Sequence, residues 1–272
     1  MKNNYATIAV GAVLVFFYAL SLSGLSTVRQ SRQSQMESMI SRMPPKLLTF
    51  FAGEFKGIVA DYALIEAASI VGKAEKITPE EWDTISNLFI LTMKLDPYFM
   101  QSYHLIDATL PWFTKKYDLS ISLLEKSKNS RFWDWIPGYF LGFEHFYFLK
   151  DNEKAAAYLM EAAKIENAPA LLATFGARLA NETGNNETAL IFLKAYYERE
   201  EDEKKKEIIA ERIRLHEAVA LLEKKITSFK NDFGRYPTNL MDLIIFGYLK
   251  QLPLDQYSKT FNYDPNSGRV LF

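Results

Sequence analysis

Apolar positions along this chain fall into three regimes: an uninterrupted run near the start, a long middle with helical spacing, and a tail broken by turn residues. From Tyr5 to Leu25 no charge occurs, and Ile8 to Leu20 is strongly hydrophobic. About 20 such residues, rising 1.5 Å each, cross a bilayer core. Beyond it, Met36, Met39, Ile40 and Met43 mark one apolar stripe on a polar linker helix over 28–45, broken by Pro44-Pro45. Leu47, Phe50, Phe51, Phe55, Ile58, Val59, Tyr62, Ile65 and Ile70 keep a helical period that Gly72 can end. Thr78-Pro-Glu-Glu81 predicts the next helix start, with Thr as cap, Pro at the first position and Glu returning to the cap. That helix is expected to end near Leu95-Asp-Pro97.

Further helices are predicted through Ser102, Leu105, Ile106 and Leu110, from Asp118 to Lys126, from Arg131 to Leu149 and from Ala155 to Ile165. Two more are expected over Ala170 to Glu182 and Thr188 to Glu198. Within this stretch the sequence repeats. Gly142 recurs as Gly176, Asp151 as Asn185, Ala155 as Ala189 and Leu159 as Leu193, each a shift of 34. After Glu198 comes a run dense in both charge signs, which pair along a helix face. Ile208, Ile209, Ile213, Ala218, Leu221, Leu222 and Ile226 supply its inward side, so a long capping helix is expected over 201–232. From Phe233 the character changes: a short helix from Thr238 to Tyr248, then Thr260 to Phe272, where turn residues between aromatic and β-branched runs signal a hairpin.

A period of 34 with a small residue at each close crossing resembles the tetratricopeptide repeat (TPR), a helical hairpin that stacks into a solenoid. Leu95-Asp-Pro97, Gly142-Phe143 and Lys150-Asp-Asn-Glu-Lys-Ala-Ala156 carry the likeness to bacterial membrane-anchored members. The resemblance covers roughly residues 80–200, and it implies protein binding with no catalytic residues to transfer. The tail, Gly234-Arg-Tyr-Pro-Thr-Asn-Leu-Met-Asp-Leu243 with Leu252-Pro-Leu-Asp-Gln-Tyr257 and Phe261-Asn-Tyr263, is similar to the C-terminal pattern of type II secretion major pseudopilins. Gln256 and Ser258 replace that family's Pro and Gly. The N-terminus lacks the Gly-Phe processing site with its following Glu, so the chain is not expected to be a pseudopilin itself.

The expected fold is therefore mainly α: a transmembrane signal anchor over 1–27, the linker over 28–45 and a TPR-like α-solenoid of antiparallel helix pairs over 46–200. The capping helix and a pseudopilin-like helix-plus-hairpin unit over 233–272 complete it. A cleaved leader remains the alternative to the anchor, since Ala19-Leu-Ser21 offers a small-x-small site. Sidedness has arguments both ways. Arg29, Arg32, Arg42 and Lys46 follow the run, which favours a cytoplasmic body. The short basic tail before the run, and the pseudopilin likeness, favour the periplasmic side of a bacterial inner membrane.

Composition narrows the function. The formal charge of −1 offers no electrostatic footprint for nucleic acid. The absence of cysteine excludes disulfides and thiolate chemistry. His104, His145 and His216 sit in separate predicted helices without metal-ligand spacing. No phosphate loop, nucleophile elbow or zincin motif is present. No catalytic residue, cofactor or metal is therefore expected. Asp264, Asn266 and Ser267 offer oxygen ligands of the calcium type, although the same residues make a plain turn, which is the reading adopted. The aromatic stretch from Phe132 to Phe148 is expected to serve mostly as hairpin core. Its candidate partner-binding residues are Trp133, Trp135, Tyr139, Phe143, His145 and Tyr147. The expectation is a membrane-tethered scaffold or adaptor that binds protein partners in an envelope complex, with the bilayer contacted through residues 5–25. Pseudopilin-like or pilus proteins are possible partners, and an accessory subunit of a membrane enzyme is the other alternative.

Overall fold

The computed structural model describes residues 18, 53–72, 76–254 and 261–271. The expected anchor apart from Tyr18, the linker helix, the start of the helix from Lys46 and residues 255–260 lie outside the described residues. Among the described residues no helix is long and apolar enough to cross a membrane. The fold is mainly helical, with a small antiparallel hairpin near its C-terminus. It divides into two compact units, one ending at Ser102 and one beginning at Tyr103.

The first unit holds a 3-10 turn (Gly53–Phe55), α1 (Lys56–Val71) and α2 (Pro79–Leu95). Small residues let the two helices approach. Ala60, Ala63 and Ala67 of α1 are fully buried, as are Ile85 and Phe89 of α2, and Thr92 Oγ1 donates to the Ala60 carbonyl at 3.4 Å. The predicted caps form as read. Glu81 N–H donates to Thr78 Oγ1 at 3.2 Å, Thr78 N–H to Glu81 Oε2 at 3.0 Å, and Pro79 occupies the first turn. Gly72 ends α1.

The unit boundary falls inside α3 (Met100–Thr109), which runs into a π-helical turn (Leu110–Thr114) closed by Lys115 with φ +56°. Next come α4 (Tyr117–Ser130), α5 (Ile136–Tyr147), α6 (Asn152–Ala162), α7 (Ala170–Glu182), α8 (Asn186–Arg199) and α9 (Glu203–Phe233). The one-turn α10 (Asp242–Ile245), β1 (Asn262–Asp264) and β2 (Arg269–Leu271) complete the chain. The helix expected over 118–126 continues to Ser130 because Ser127, polar yet fully buried, turns its hydroxyl to the Leu123 carbonyl and keeps the packed face intact. The helix expected over 238–248 shrinks to four residues. Asp242 draws the N–H groups of Thr238 and Asn239 into a turn at 2.7 and 3.4 Å, and Gly247 leaves the helix at φ +79°.

Glycine sets the spacing of α5, α6 and α7. A Cβ on Gly138 would stand 3.0 Å from Ala162 Cβ, and one on Gly142 would stand 2.7 Å from Leu159 Cγ. Moving forward along α5 thus moves backward along α6, so the two are antiparallel. On the other side of α6, a Cβ on Gly176 would lie 3.2 Å from Leu159 Cβ and 2.8 Å from Met160 Cγ. Asn152 Nδ2 donates to Glu182 Oε2 at 3.0 Å at one end of the same pair, so α6 and α7 are antiparallel too.

Alternate helices run side by side. Glu125 and Lys128 of α4 meet Tyr158 and Glu161 of α6, the first through the tyrosine hydroxyl and the second at 2.9 Å. The step of three is the same on both helices, so α4 and α6 are parallel. Arg199 of α8 donates to the Ala163 carbonyl just past α6 at 3.2 Å. On the opposite layer Phe146 of α5 meets Phe175 of α7 edge to face at 5.1 Å, and α9 enters against α7 and α8 with Ile209 and Ile213 in the shared core.

The far half of α9 belongs to a second core: Val219, Leu222, Ile226 and Phe229 pack with Leu243, Phe261 and Val270. β1 and β2 pair antiparallel, Tyr263 opposite Val270. The hairpin is tied back to the end of α7, where Arg269 donates to the Asn181 carbonyl at 3.0 Å and to that of Glu182. Buried Asn186 of α8 and His216 of α9 exchange a side-chain contact at 2.5 Å, and Asn186 Nδ2 also donates to the His216 carbonyl at 3.1 Å. Burial first, then the Arg212 charge, pushes the His216 imidazole down to about 3, so the ring is neutral in the fold.

Leu159 is fully buried between the two glycine crossings, so side-chain volume added there has no room. Gly142→Val is expected to lower the unfolding free energy by about 2 kcal/mol in chemical denaturation. In the double variant with Leu159→Ala the two costs should sum to less than additive, because the valine fills the space that leucine vacates. Strict additivity would mean that the crossing is not as tight as described.

Candidate functional site

An apolar groove of about 350 Å³ lies between α5, α7 and the first part of α9 in the second unit. Two matched stripes build it. Tyr139, Phe143 and Phe146 lie on α5 at steps of four and three, and Leu171, Phe175 and Arg178 lie on α7 at the same steps. That spacing puts each set on one helix face, and the glycine crossings hold the two faces close enough to share one recess. Arg178 stacks on Phe175 at 5.1 Å and pairs with Glu182 at 3.4 Å, while Arg212 reaches the same groove from α9. Leu171 is 68% exposed at the groove.

The six candidate partner-binding residues separate. Tyr139 and Phe143 line the groove, and Trp135 packs on the helical core beside it. Tyr147 continues the line of rings, stacked on Phe143 at 5.4 Å and 7°. Trp133 sits beyond the N-terminal end of α5 with Arg131 over its ring at 5.5 Å. His145 departs from the expected role. It is buried, stacked on Tyr158 at 5.3 Å and turned toward α6, so its ring has no access to a partner. Phe146, Leu171, Phe175, Arg178 and Arg212 were not singled out by the sequence reading. For all but Arg212 the signal is the repeated four-three stripe, offset by 32 where the glycine repeat is offset by 34.

A second recess, of about 530 Å³, lies where the α6–α7 loop meets the end of α8 and the start of α9. It is polar, and Arg199, Lys205 and Glu200 are engaged within it. Arg199 binds the Ala163 carbonyl, Lys205 the Ala168 carbonyl at 3.5 Å, and Lys205 also faces Glu200 at 3.9 Å. In the hairpin turn, Asp264 accepts from Asn266 N–H at 3.0 Å and from the Ser267 hydroxyl at 2.5 Å. These bonds hold its carboxyl below the usual range. The carboxylate is thus occupied in closing the turn. No group of three or more potential metal ligands occurs among the described residues.

Two carboxyls of the unit have a buried, unpartnered oxygen, Glu144 fully buried and Asp107 half-buried. Glu144, on the side of α5 toward α4, is fully buried; Oε1 accepts from Ser120 Oγ at 2.5 Å, while Oε2 has no hydrogen-bond partner. Burial pushes its carboxyl up to about 8, with a further push from Asp107, against the opposing pull of Ser120. Burial raises Asp107, whose Oδ1 is also unpartnered, to about 7. Asp134 is the contrast. Burial would raise it, but the Tyr103 hydroxyl, the Ile136 N–H and Arg131 together hold it below the carboxylate range.

Comparison with known proteins returns no matching family model, curated protein or solved structure. The geometry of the groove and the buried carboxyls therefore stands by itself.

A raised folded-state value means stability that is complete below the unfolded carboxyl range and is lost as pH climbs through the folded value. Stability of the second unit is expected to fall by more than about 1 kcal/mol between roughly pH 5 and pH 8. Glu144→Gln, which keeps an acceptor for Ser120, should flatten that decline in urea titrations across the range. Parallel curves for variant and parent would contradict the assignment.

Proposed function

We propose that this chain is a membrane-tethered scaffold, a TPR-like solenoid whose aromatic groove holds a segment of a protein partner and carries out no reaction. The observation that carries the reading is the matched pair of stripes, Tyr139-Phe143-Phe146 and Leu171-Phe175-Arg178, facing one groove. Repeated helix faces that converge on a shared recess are what a solenoid uses to grip an extended or helical peptide. The 34-residue shift between Gly142 and Gly176, with both crossings meeting Leu159, supports the TPR likeness. The uncharged run from Tyr5 to Leu25 supports a bilayer anchor. Tethering raises the effective concentration of an envelope partner near the groove. The bacterial inner membrane, with the body on the periplasmic side, is the location this reading adopts.

The tail favours one more specific version. A long helix, a short helix and a small hairpin sharing one core around Phe229, Leu243 and Val270 agree with the pseudopilin-like pattern. A place beside a type II secretion or type IV pilus-like assembly follows from it.

Leu171 is exposed yet lines the groove, so it can be changed with little cost to folding. Full-length protein purified in mild detergent is expected to retain an envelope partner in fixed ratio. Leu171→Asp should lose at least tenfold of it, about 1.4 kcal/mol, with an unchanged thermal midpoint. Equal recovery by parent and variant would dismiss the groove, and recovery of secretion or pilus proteins would favour the narrower version.

A further inference from the structure

The end of the second unit formed by the π-helical turn and the α5–α6 turn carries more exposed aromatic surface than its own core uses. Trp112 is 47% exposed, Phe113 65%, Tyr147 44% and Leu149 38%. Trp112 and Tyr147 belong to a cluster of rings: Trp112 lies 5.4 Å from Tyr147 and edge-on to Phe148 at 4.9 Å, and Tyr117 backs Phe148 at 5.4 Å. Three lysines surround the tip. Lys115 and Lys150 are exposed and hold the two turns with φ of +56° and +57°, and Lys116 follows Lys115. Lys150 lies over the Tyr147 ring at 5.2 Å. Acidic residues close by include Asp118 and Glu153, exposed in the first turns of α4 and α6, and Asp151, which already accepts from Lys154 N–H at 3.1 Å and pairs with its ammonium at 3.4 Å.

We propose that this aromatic and lysine tip seats on the interfacial region of an anionic lipid bilayer, giving the tethered body a second point of attachment. Indole and phenol rings are amphipathic and collect at the headgroup level. Lysine stems lie along apolar surface while their ammonium groups reach phosphate, so the two residue types fit together there. The exposed rings sit on two turns, from which they can enter an interface. The placement rests on the membrane-tethered reading. With the run from Tyr5 to Leu25 in the bilayer, even a weak second contact becomes intramolecular and well populated.

The test uses the full chain in vesicles of phosphatidylcholine and phosphatidylglycerol whose acyl chains carry bromine, a short-range quencher of tryptophan. Of Trp82, Trp112, Trp133 and Trp135, one variant keeps only Trp112 and another only Trp133, the rest replaced by Phe. Trp133 lies beyond the opposite end of α5, about 18 Å away by helix rise. Strong quenching of Trp112 with Trp133 spared is expected. Lys115→Gln, Lys116→Gln and Lys150→Gln should each lower the docked-to-undocked ratio about fivefold on the anionic vesicles. Equal quenching of the two tryptophans, or none at Trp112 while the protein stays with the vesicles, would overturn the seating. Trp112 unquenched there yet shielded from iodide in native membranes would also overturn it, in favour of a protein partner. Release of the chain from vesicles by alkaline wash would sink the tether instead, and Trp112 quenching by added anionic vesicles would then decide the tip alone.

Discussion

Leu159 is held between two glycines, and most of the second unit depends on that contact. Gly142 of α5 and Gly176 of α7 approach α6 from opposite sides, at distances a methyl group would not tolerate. Dispersion forces and the exclusion of water reward such closeness only where both surfaces are smooth. Ala155, Ala162, Ala173 and Ala177, all buried, supply the rest of that smoothness. Larger residues at the crossings would push α5 and α7 apart, and the aromatic stripes on their outer faces would no longer share one groove.

Polar groups between the helices set direction where the apolar contacts set distance. Tyr158 with Glu125, Lys128 with Glu161, and Asn152 with Glu182 each join neighbours at one register. Glu144 and Asp107 are different, because each buries an oxygen with no partner. Keeping them neutral avoids an uncompensated buried charge, but it makes the unit sensitive to alkali. The C-terminal tail is coupled to the same body through Arg269 at the end of α7 and through the Asn186–His216 contact. The long α9 therefore serves two cores, one in each half.

Much of this was legible in the residues. Caps at Thr78 and Gly72, the helix Ala170–Glu182 and the hairpin are local features, written in residue types that admit few backbone conformations. What escaped was tertiary. Ser127 extends α4 because it is buried and satisfied, and nothing in its identity says so. The short α10 is cut by an Asp242 turn that competes with the helix its leucines and isoleucines suggest. His145 lies in a run whose aromatics can line either core or groove, and only the packing shows that its face of α5 turns inward to Tyr158. The groove residues on α7 were hidden because the stripe repeats at a shift of 32 while the glycines repeat at 34. Glu144 carries no local sign of its burial, which only the packing of α4 reveals.

The central claim is that alternate helices lie side by side in one direction, so that equivalent faces meet along the stack. The chain has no cysteine, so pairs can be introduced without background. Lys128→Cys with Glu161→Cys, joined by a short bismaleimide of about one helix spacing, should cross-link within the chain in full, since helices pack about 8–10 Å apart. Lys128→Cys with Ala195→Cys, one helix further along, should stay open. Closure of the second pair, or failure of the first, would contradict the stacked arrangement and the shared groove with it.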